Sequence, residues 1–266
     1  MVIVESYHDV SGHRLRVLKA LQRPGMPLLI FNGIGASADM LRPLLNSLES
    51  PALTFDLPGI GASPAGLLPK RMKQLASLSR GLLKSLGIKR CHIMGISWGG
   101  GLAQQFAHQF PKVTERLILA ATATGHIMLP PSPLVMLKLA TPLRYMSASY
   151  FRSIAGDIYG GDFRDSPQRT EAHARQMTPP SIWGYLSQLY ALTGWTSMFW
   201  LGEIKAQTLV MAGDDDPIIP LANARLLAKR LPNARLSIYD CGHLFMLTRL
   251  QRAAAEINEF LLESLE

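Results

Sequence analysis

The chain is poor in cysteine, with only Cys91 and Cys241 among 266 residues. The two thiols show no spacing typical of a metal site, so neither a structural metal nor a metal cofactor is expected. The N-terminal residues show no basic region followed by an apolar stretch, which argues against a signal peptide. Together these features predict a reducing, cytoplasmic location in which both thiols are free.

Long hydrophobic runs are also missing. No stretch of 18 or more apolar residues occurs, so no transmembrane segment is expected, although 48% hydrophobic residues suffice for a large core.

Acidic residues number 19 against 27 lysines and arginines, which gives a net charge of +8. Because the basic residues are spread along the chain rather than clustered, we expect no nucleic-acid binding.

Strand and helix patterns alternate along most of the chain. Short apolar runs predict strands at 2–8, 13–20, 28–31, 52–56, 91–94, 116–121, 207–212 and 235–239. Apolar residues at helical spacing predict helices at 39–48, 70–86, 100–108, 220–231 and 253–265. This alternation predicts an α/β fold with a mostly parallel, twisted sheet covered by helices on both faces.

The alternation stops over residues 127–205, which show no clear strand pattern and hold 11 of the 20 aromatic residues. We interpret this stretch as a helical lid inserted into a core formed by residues 1–126 and 206–266. The aromatic side chains could simply pack the insert onto the sheet. A lid over a cleft must also form an apolar pocket. We therefore expect substrate contacts from Trp183, Tyr185, Tyr190, Trp195 and Trp200.

A serine stands between a predicted strand and a predicted helix. Gly95-Ile96-Ser97-Trp98-Gly99 fits the G-x-S-x-G pattern of a nucleophile elbow, whose sharp turn exposes the serine Oγ. The glycines are needed because side chains at positions 95 and 99 would strike neighbouring backbone. The motif also arises by chance, so its interpretation depends on the residues that could activate the serine.

A serine hydroxyl needs a base to take its proton and an acid to orient that base. Asp216 follows a predicted strand and fits the acid-loop pattern G-x-x-D-x-x-V/I-P, while His243 follows the last predicted strand. Both lie at the sheet edge of Ser97, in the order Ser, Asp, His. We predict these three as the catalytic residues. Asp214 and Asp215 are expected to cap the loop or the next helix.

Acyl transfer also needs two backbone N–H donors for the oxyanion. We predict those of Trp98, which follows the nucleophile, and of Ile34, in the glycine-containing loop after the third strand. His126 begins the inserted stretch and is a weaker candidate for lining the pocket. The remaining histidines are assigned to the surface, to packing or to the opposite sheet edge: His8, His13, His92, His108 and His173.

Taken together, these motifs make the chain resemble an α/β-hydrolase, and in particular the intracellular medium-chain-length polyhydroxyalkanoate depolymerases of bacteria. The matching stretches are LLIFNGIGA (28–36), GISWGG (95–100), LAQQFAH (102–108), LAATA (119–123), IYGG (158–161), GWTS (194–197), AGDDDP (212–217) and GHLF (242–245). The resemblance implies ester hydrolysis of poly(3-hydroxyalkanoates) by Ser97, Asp216 and His243, without a cofactor. It leaves association with polymer granules open. A related polymer synthase family has cysteine at the elbow, so serine favours hydrolysis.

Other functions remain open on the same fold. A general carboxylesterase or lipase-like enzyme would use the same residues. Carbon–carbon bond hydrolases of aromatic degradation usually show G-H-x-x-x-x-E after the last strand, whereas position 248 is Thr here. A dehalogenase would need an acidic nucleophile in place of Ser97. A non-catalytic binding protein would have no reason to keep the serine, aspartate and histidine together.

Overall fold

The computed structural model describes residues 2–139, 143–176 and 178–263. Within these ranges, eight strands form one sheet in the order β1-β2-β4-β3-β5-β6-β7-β8. The strands are β1 (Val4–Val10), β2 (His13–Ala20), β3 (Leu28–Phe31), β4 (Ala52–Phe55), β5 (Cys91–Ile96), β6 (Thr114–Ala120), β7 (Gln207–Gly213) and β8 (Ala234–Tyr239). Pairing is antiparallel for β1 with β2 and β2 with β4, and parallel elsewhere. The predicted, mostly parallel sheet is confirmed.

Helices cover both faces of this sheet. They are α1 (Arg42–Ser47), α2 (Met72–Ser85), α3 (Trp98–Gln109), α4 (Pro133–Leu139), α5 (Leu143–Met146), α6 (Ala148–Tyr159), α7 (Asp162–Asp165), α8 (Pro167–Gln176), α9 (Ile182–Leu192), α10 (Leu221–Arg230), α11 (Phe245–Thr248) and α12 (Leu250–Leu262). One buried core joins the sheet to α2, α3 and α10, and a second joins it to α1 and α12. None of the helices described combines the length and apolar character needed to cross a membrane.

The stretch between β6 and β7 is helical, as expected. Residues 127–205, called here the inserted segment, contain α4 to α9 and a short 3₁₀ helix, Leu201–Glu203. An isolated bridge pairs Gly125, just before the segment, with Thr196 in its C-terminal part. Side chains of α6 and α7, including Phe151 and Phe163, form a separate small core. The segment therefore has packing of its own in addition to its contacts with the sheet.

The helices differ most from the predictions at three places, whereas the ends of α2, α3 and α10 differ by only one or two residues. Residues 38–41 form a 3₁₀ helix, and α1 begins only at Arg42, because Pro43 favours the first turn of a helix. The four-residue helix α11 was not predicted, since one turn is too short to show periodicity. Helix α12 begins three residues earlier than expected. Its predicted apolar position Leu265 lies outside the described residues.

Both cysteines are free, as predicted, and both are buried. Cys91 opens β5, and burial raises the pKa of its thiol to about 12. Cys241 follows β8, at the opposite edge of the parallel strands. Neither thiol is therefore positioned to bridge to the other.

Candidate active site

Ser97 occupies a strained turn between β5 and α3. Its φ of 53° lies in the left-handed region that residues with a Cβ rarely adopt. A Cβ on Gly95 would lie 2.2 Å from the Gly99 carbonyl oxygen, and one on Gly99 would lie 2.2 Å from that of Phe31. The two glycines therefore let α3 approach β5 and β3 closely enough to form the turn.

The side chains of Ser97, His243 and Asp216 form a series in which each lies within hydrogen-bonding distance of the next. His243 Nε2 is 3.0 Å from Ser97 Oγ, and His243 Nδ1 is 2.8 Å from Asp216 Oδ2. The aspartate and histidine are both buried. Asp216 Oδ1 accepts the backbone N–H groups of Ile218 and Ile219, each at 2.9 Å, which turns Oδ2 toward the imidazole. Such an arrangement can accept a serine proton and stabilise the imidazolium that forms.

The two neighbouring aspartates are engaged elsewhere. Asp214 Oδ1 accepts the Cys241 backbone N–H at 3.1 Å, which supports the loop as expected. Asp215 Oδ2 accepts the Gly161 backbone N–H at 2.7 Å and an Arg164 guanidinium N–H at 2.6 Å. Asp215 thus ties the loop to the inserted segment, a role that the sequence did not indicate.

The C-terminal end of α6 holds the histidine loop. The His243 backbone N–H donates to the Tyr159 carbonyl at 2.8 Å. The Tyr159 ring lies 6.3 Å from the imidazole, with an interplanar angle of 13°. A Cβ on Gly242 would lie 1.9 Å from the same carbonyl oxygen, so only glycine permits this approach. The sequence signals for the contact were Gly242 and the pair Gly160-Gly161.

The predicted oxyanion donors lie at the same cavity as the serine. Both Ile34 and Trp98 line it. On either side of Ile34, the N–H of Gly33 donates to Asn32 Oδ1, and the N–H of Gly35 donates to a side chain of α9. Within the described residues, neither the Ile34 nor the Trp98 backbone N–H donates a hydrogen bond to another backbone group. Both groups are therefore free to bind a substrate oxygen.

The inserted segment holds this loop in place. Gln188 of α9 accepts the Gly35 N–H through Oε1 at 2.7 Å and the Trp98 indole N–H through its carbonyl at 2.9 Å. The Tyr145 hydroxyl of α5 donates to the Ile34 carbonyl at 2.5 Å. Sequence reasoning missed Gln188 and Tyr145, because a single glutamine or tyrosine within a helix matches no motif.

A cavity of about 300 Å³ opens at Ser97 and His243. Tyr185 and Trp195 line it, as expected. Leu189 and Leu192 line it too, since positions 185, 189 and 192 share one face of α9. Its further apolar lining includes Met40, Ile96, Met128, Leu139, Ile218 and Leu244.

The other three aromatic residues for which we predicted substrate contacts do not line this cavity. Trp183 and Tyr190 occupy other faces of α9: Trp183 is 45% exposed, and the Tyr190 ring lies 4.0 Å from the Arg71 guanidinium carbon. Trp200 stacks on the His108 ring at 4.3 Å. Aromatic content alone does not reveal which side of a helix faces the cavity.

Two histidines, one just before the inserted segment and one within it, also differ from expectation. His126 is absent from the cavity lining, and its backbone N–H donates to the Trp195 carbonyl at 2.8 Å. His173 is a packing residue, as expected, but it also lines the cavity. Burial lowers the pKa of His173 to about 4, so its ring is neutral at pH 7. Among the described residues, no histidine, cysteine and carboxylate cluster could hold a metal ion.

Comparison with known proteins gives the family. Residues 26–250 match the alpha/beta hydrolase fold family. The chain is 46% identical over 250 residues to a poly(3-hydroxyalkanoate) depolymerase of Ectopseudomonas oleovorans, covering 92% of this chain and 88% of that protein. It is 32% identical over 202 residues to a 2-hydroxy-6-oxo-6-phenylhexa-2,4-dienoate hydrolase of Comamonas testosteroni, covering 71% and 68%.

Solved structures agree with this match. An enol-lactonase from Burkholderia xenovorans LB400 superposes with a TM-score of 0.84 at 24% identity, covering 97% of this chain and 100% of the other. These comparisons confirm the fold class and the resemblance to polyhydroxyalkanoate depolymerases that the motifs indicated. The chain belongs to the alpha/beta hydrolase fold family.

Proposed function

We propose that this protein is a serine hydrolase that cleaves ester bonds of medium-chain-length poly(3-hydroxyalkanoate) or of its oligomers. The observation that supports it most is the hydrogen-bonded series Ser97–His243–Asp216 at the mouth of an apolar cavity. The coarser assignment, an enzyme that hydrolyses carboxylic esters, follows from the family and from the 46% identity to a poly(3-hydroxyalkanoate) depolymerase.

In the proposed reaction, Ser97 Oγ attacks the ester carbonyl carbon while His243 Nε2 takes the serine proton. The carbonyl oxygen becomes an oxyanion and accepts hydrogen bonds from the Ile34 and Trp98 backbone N–H groups. One such donor contributes about 3–4 kcal/mol to the stability of the transition state. The imidazolium, stabilised by ionised Asp216, then protonates the departing alkoxide, which leaves an acyl-enzyme.

Water completes the cycle. The same imidazole removes a proton from a water molecule, which attacks the acyl carbon on Ser97. The oxyanion forms again at the two N–H donors, and the serine leaves with the proton returned by His243. The products are a carboxylic acid and an alcohol, which for a polyester are two shorter chains. No step in this sequence needs a cofactor.

The inserted segment, residues 127–205, is proposed as a lid over a core of residues 1–126 and 206–266. Tyr185 and Trp195 would contact the alkyl side chain of the substrate in the apolar cavity. Each buried CH₂ contributes roughly 0.8 kcal/mol, so four additional methylenes contribute about 3 kcal/mol. This gain supports a preference for medium-length chains.

The surface of polymer granules is the proposed place of action. Apolar side chains on the outer side of the inserted segment support this, among them Leu137 at 71% and Phe199 at 80% exposure. Co-sedimentation with particles of medium-chain-length polymer tests the association, with Phe199→Ser expected to weaken it. If Phe199→Ser co-sediments as well as the wild type, the exposed Phe199 side chain does not contribute to granule association.

A release assay with two polymers tests the proposed function. Purified protein is incubated with poly(3-hydroxyoctanoate) and, in parallel, with poly(3-hydroxybutyrate), and the acids released are titrated. We expect release from the octanoate polymer to be at least about tenfold faster, as the buried methylenes predict. Faster release from the butyrate polymer would contradict the substrate class. Turnover of a 2-hydroxy-6-oxodienoate without ester hydrolysis would favour the carbon–carbon alternative.

A further inference from the structure

The apolar cavity contains a permanently charged side chain. Arg144 of α5 lines the cavity yet is only 3% exposed. A guanidinium remains protonated in proteins, so this charge persists at all working pH values. Among the described residues, no carboxylate pairs with Arg144, and its Nε and Nη1 have no hydrogen-bond partner.

Other buried arginines in the same fold are compensated. Arg16 forms ion pairs with three carboxylates, at distances from 2.6 to 3.2 Å. Arg116 pairs with Glu263 at 3.6 Å and donates to Gln207 at 2.8 Å. A buried ion without such a partner carries a desolvation cost of several kcal/mol. The uncompensated charge of Arg144 therefore sets the cavity apart from the rest of the protein.

Aromatic rings offset only part of that cost. The Arg144 guanidinium carbon lies 4.8 Å from the Tyr145 ring centroid and 5.7 Å from that of Tyr185. A cation–π contact stabilises a buried cation, but it neutralises no charge and uses no N–H donor. The hydroxyl groups of Tyr145, Tyr159 and Tyr185 also interact with the guanidinium. None of them is a carboxylate, so the positive charge at the cavity is retained, and a guanidinium is well suited to bind a carboxylate ligand.

A second polar group of the cavity is also without a partner. His173 Nδ1 is buried and has no hydrogen-bond partner among the described residues. The imidazole is neutral at pH 7, since burial lowers its pKa to about 4. It can therefore supply a hydrogen bond without adding a second positive charge. One cation in a mainly apolar lining fits a singly charged ligand with an alkyl chain.

We propose that Arg144 binds the free carboxylate at the end of a hydroxyacyl chain. This inference rests on the proposed function. Every cut in a poly(3-hydroxyalkanoate) consumes one water and creates one new carboxylic acid end. Oligomers therefore present an alkyl chain and one carboxylate together. The enzyme then prefers chain ends and short oligomers with a free carboxylate over neutral chains of the same length.

A pair of dimeric substrates tests this inference. The dimer of 3-hydroxyoctanoate with a free carboxylate is compared with the methyl ester of that dimer, by the release of 3-hydroxyoctanoate or its methyl ester. We expect the wild-type kcat/KM to be at least tenfold higher for the free acid, mainly through a lower KM. Arg144→Met should bring the ratio of the two kcat/KM values close to one. Arg144→Lys, which keeps the charge, should retain part of the preference.

A matched control removes an arginine elsewhere in the inserted segment. Arg152 is exposed and pairs with Glu171 at 2.9 Å, so Arg152→Met should preserve the wild-type ratio. The ratio of the two kcat/KM values in the wild-type enzyme can overturn the inference by itself. The test therefore does not depend on whether Arg144→Met folds. Equal kcat/KM for both dimers removes Arg144 from carboxylate recognition but leaves the ester hydrolase intact. If the wild-type enzyme hydrolyses neither dimer, the proposed function itself is contradicted.

Discussion

Replacing Asp216 with Asn tests how the histidine is oriented. The carboxylate Oδ1 accepts the N–H groups of Ile218 and Ile219, so an asparagine would keep its carbonyl there and direct its NH₂ at His243 Nδ1. An amide donor at Nδ1 favours the tautomer with the proton on Nε2. That nitrogen then donates to Ser97 Oγ and can no longer accept the serine proton.

The expected loss is large because the base itself is disabled. In enzymes with a Ser-His-Asp triad, the corresponding change lowers kcat about 10⁴-fold, which corresponds to about 5.4 kcal/mol of barrier. The assay is kcat for p-nitrophenyl octanoate, with circular dichroism melting to show that the variant folds. Retention of more than about a hundredth of wild-type kcat would refute this account of the hydrogen bonds.

Asp215→Asn is the matched control. Asp215 contacts Gly161 and Arg164, and the Arg164 pair is partly exposed on both sides. Exposed pairs contribute at most about 1 kcal/mol, so kcat should fall less than about tenfold. If Asp215→Asn proves more damaging than Asp216→Asn, the acid has been assigned to the wrong residue.

Two further predictions concern substrate length and acid stability. Esters of six-to-eight-carbon acids should exceed acetate at least about tenfold in kcat/KM, because the cavity buries the added methylenes; a flat profile of p-nitrophenyl esters would contradict the cavity's role. Burial lowers the pKa of His92 and His173 to about 4. Between pH 7 and 4 the unfolded chain therefore binds more protons, and the free energy of unfolding falls by up to about 3 kcal/mol per histidine. Urea melts of His173→Gln should show a weaker pH dependence; an unchanged slope would contradict this origin.

The sheet was predictable because its signals are local. Most strands are short apolar runs next to a turn. The strands nearest the site, β3 and β5, are each followed in the sequence by a loop or turn that contains glycine. Ser97, Asp216 and His243 were predictable for the same reason: each lies in the loop or turn that follows a strand, in a fixed chain order. The structure brings those three side chains together and adds no further residue to the predicted Ser-His-Asp series.

The supporting contacts were not predictable, because they depend on how the inserted segment docks. Gln188, Tyr145 and Tyr159 reach the site from three different helices. No motif marks Gln188 or Tyr145, and the IYGG match at 158–161 does not reveal which residue Tyr159 contacts. The same holds for the cavity lining, where Tyr185 faces inward while Trp183, two positions earlier on α9, is exposed. An unpaired buried arginine is likewise visible only once its surroundings are known.

Ser97→Ala, measured with p-nitrophenyl octanoate and with poly(3-hydroxyoctanoate), tests the central claim most directly. The side chain loses one oxygen that contacts His243 and little packing, so the melting temperature should stay close to that of the wild type. The account predicts that kcat falls by more than about 10⁴-fold on both substrates. A folded variant that keeps more than about a hundredth of wild-type kcat would show that Ser97 is not the nucleophile.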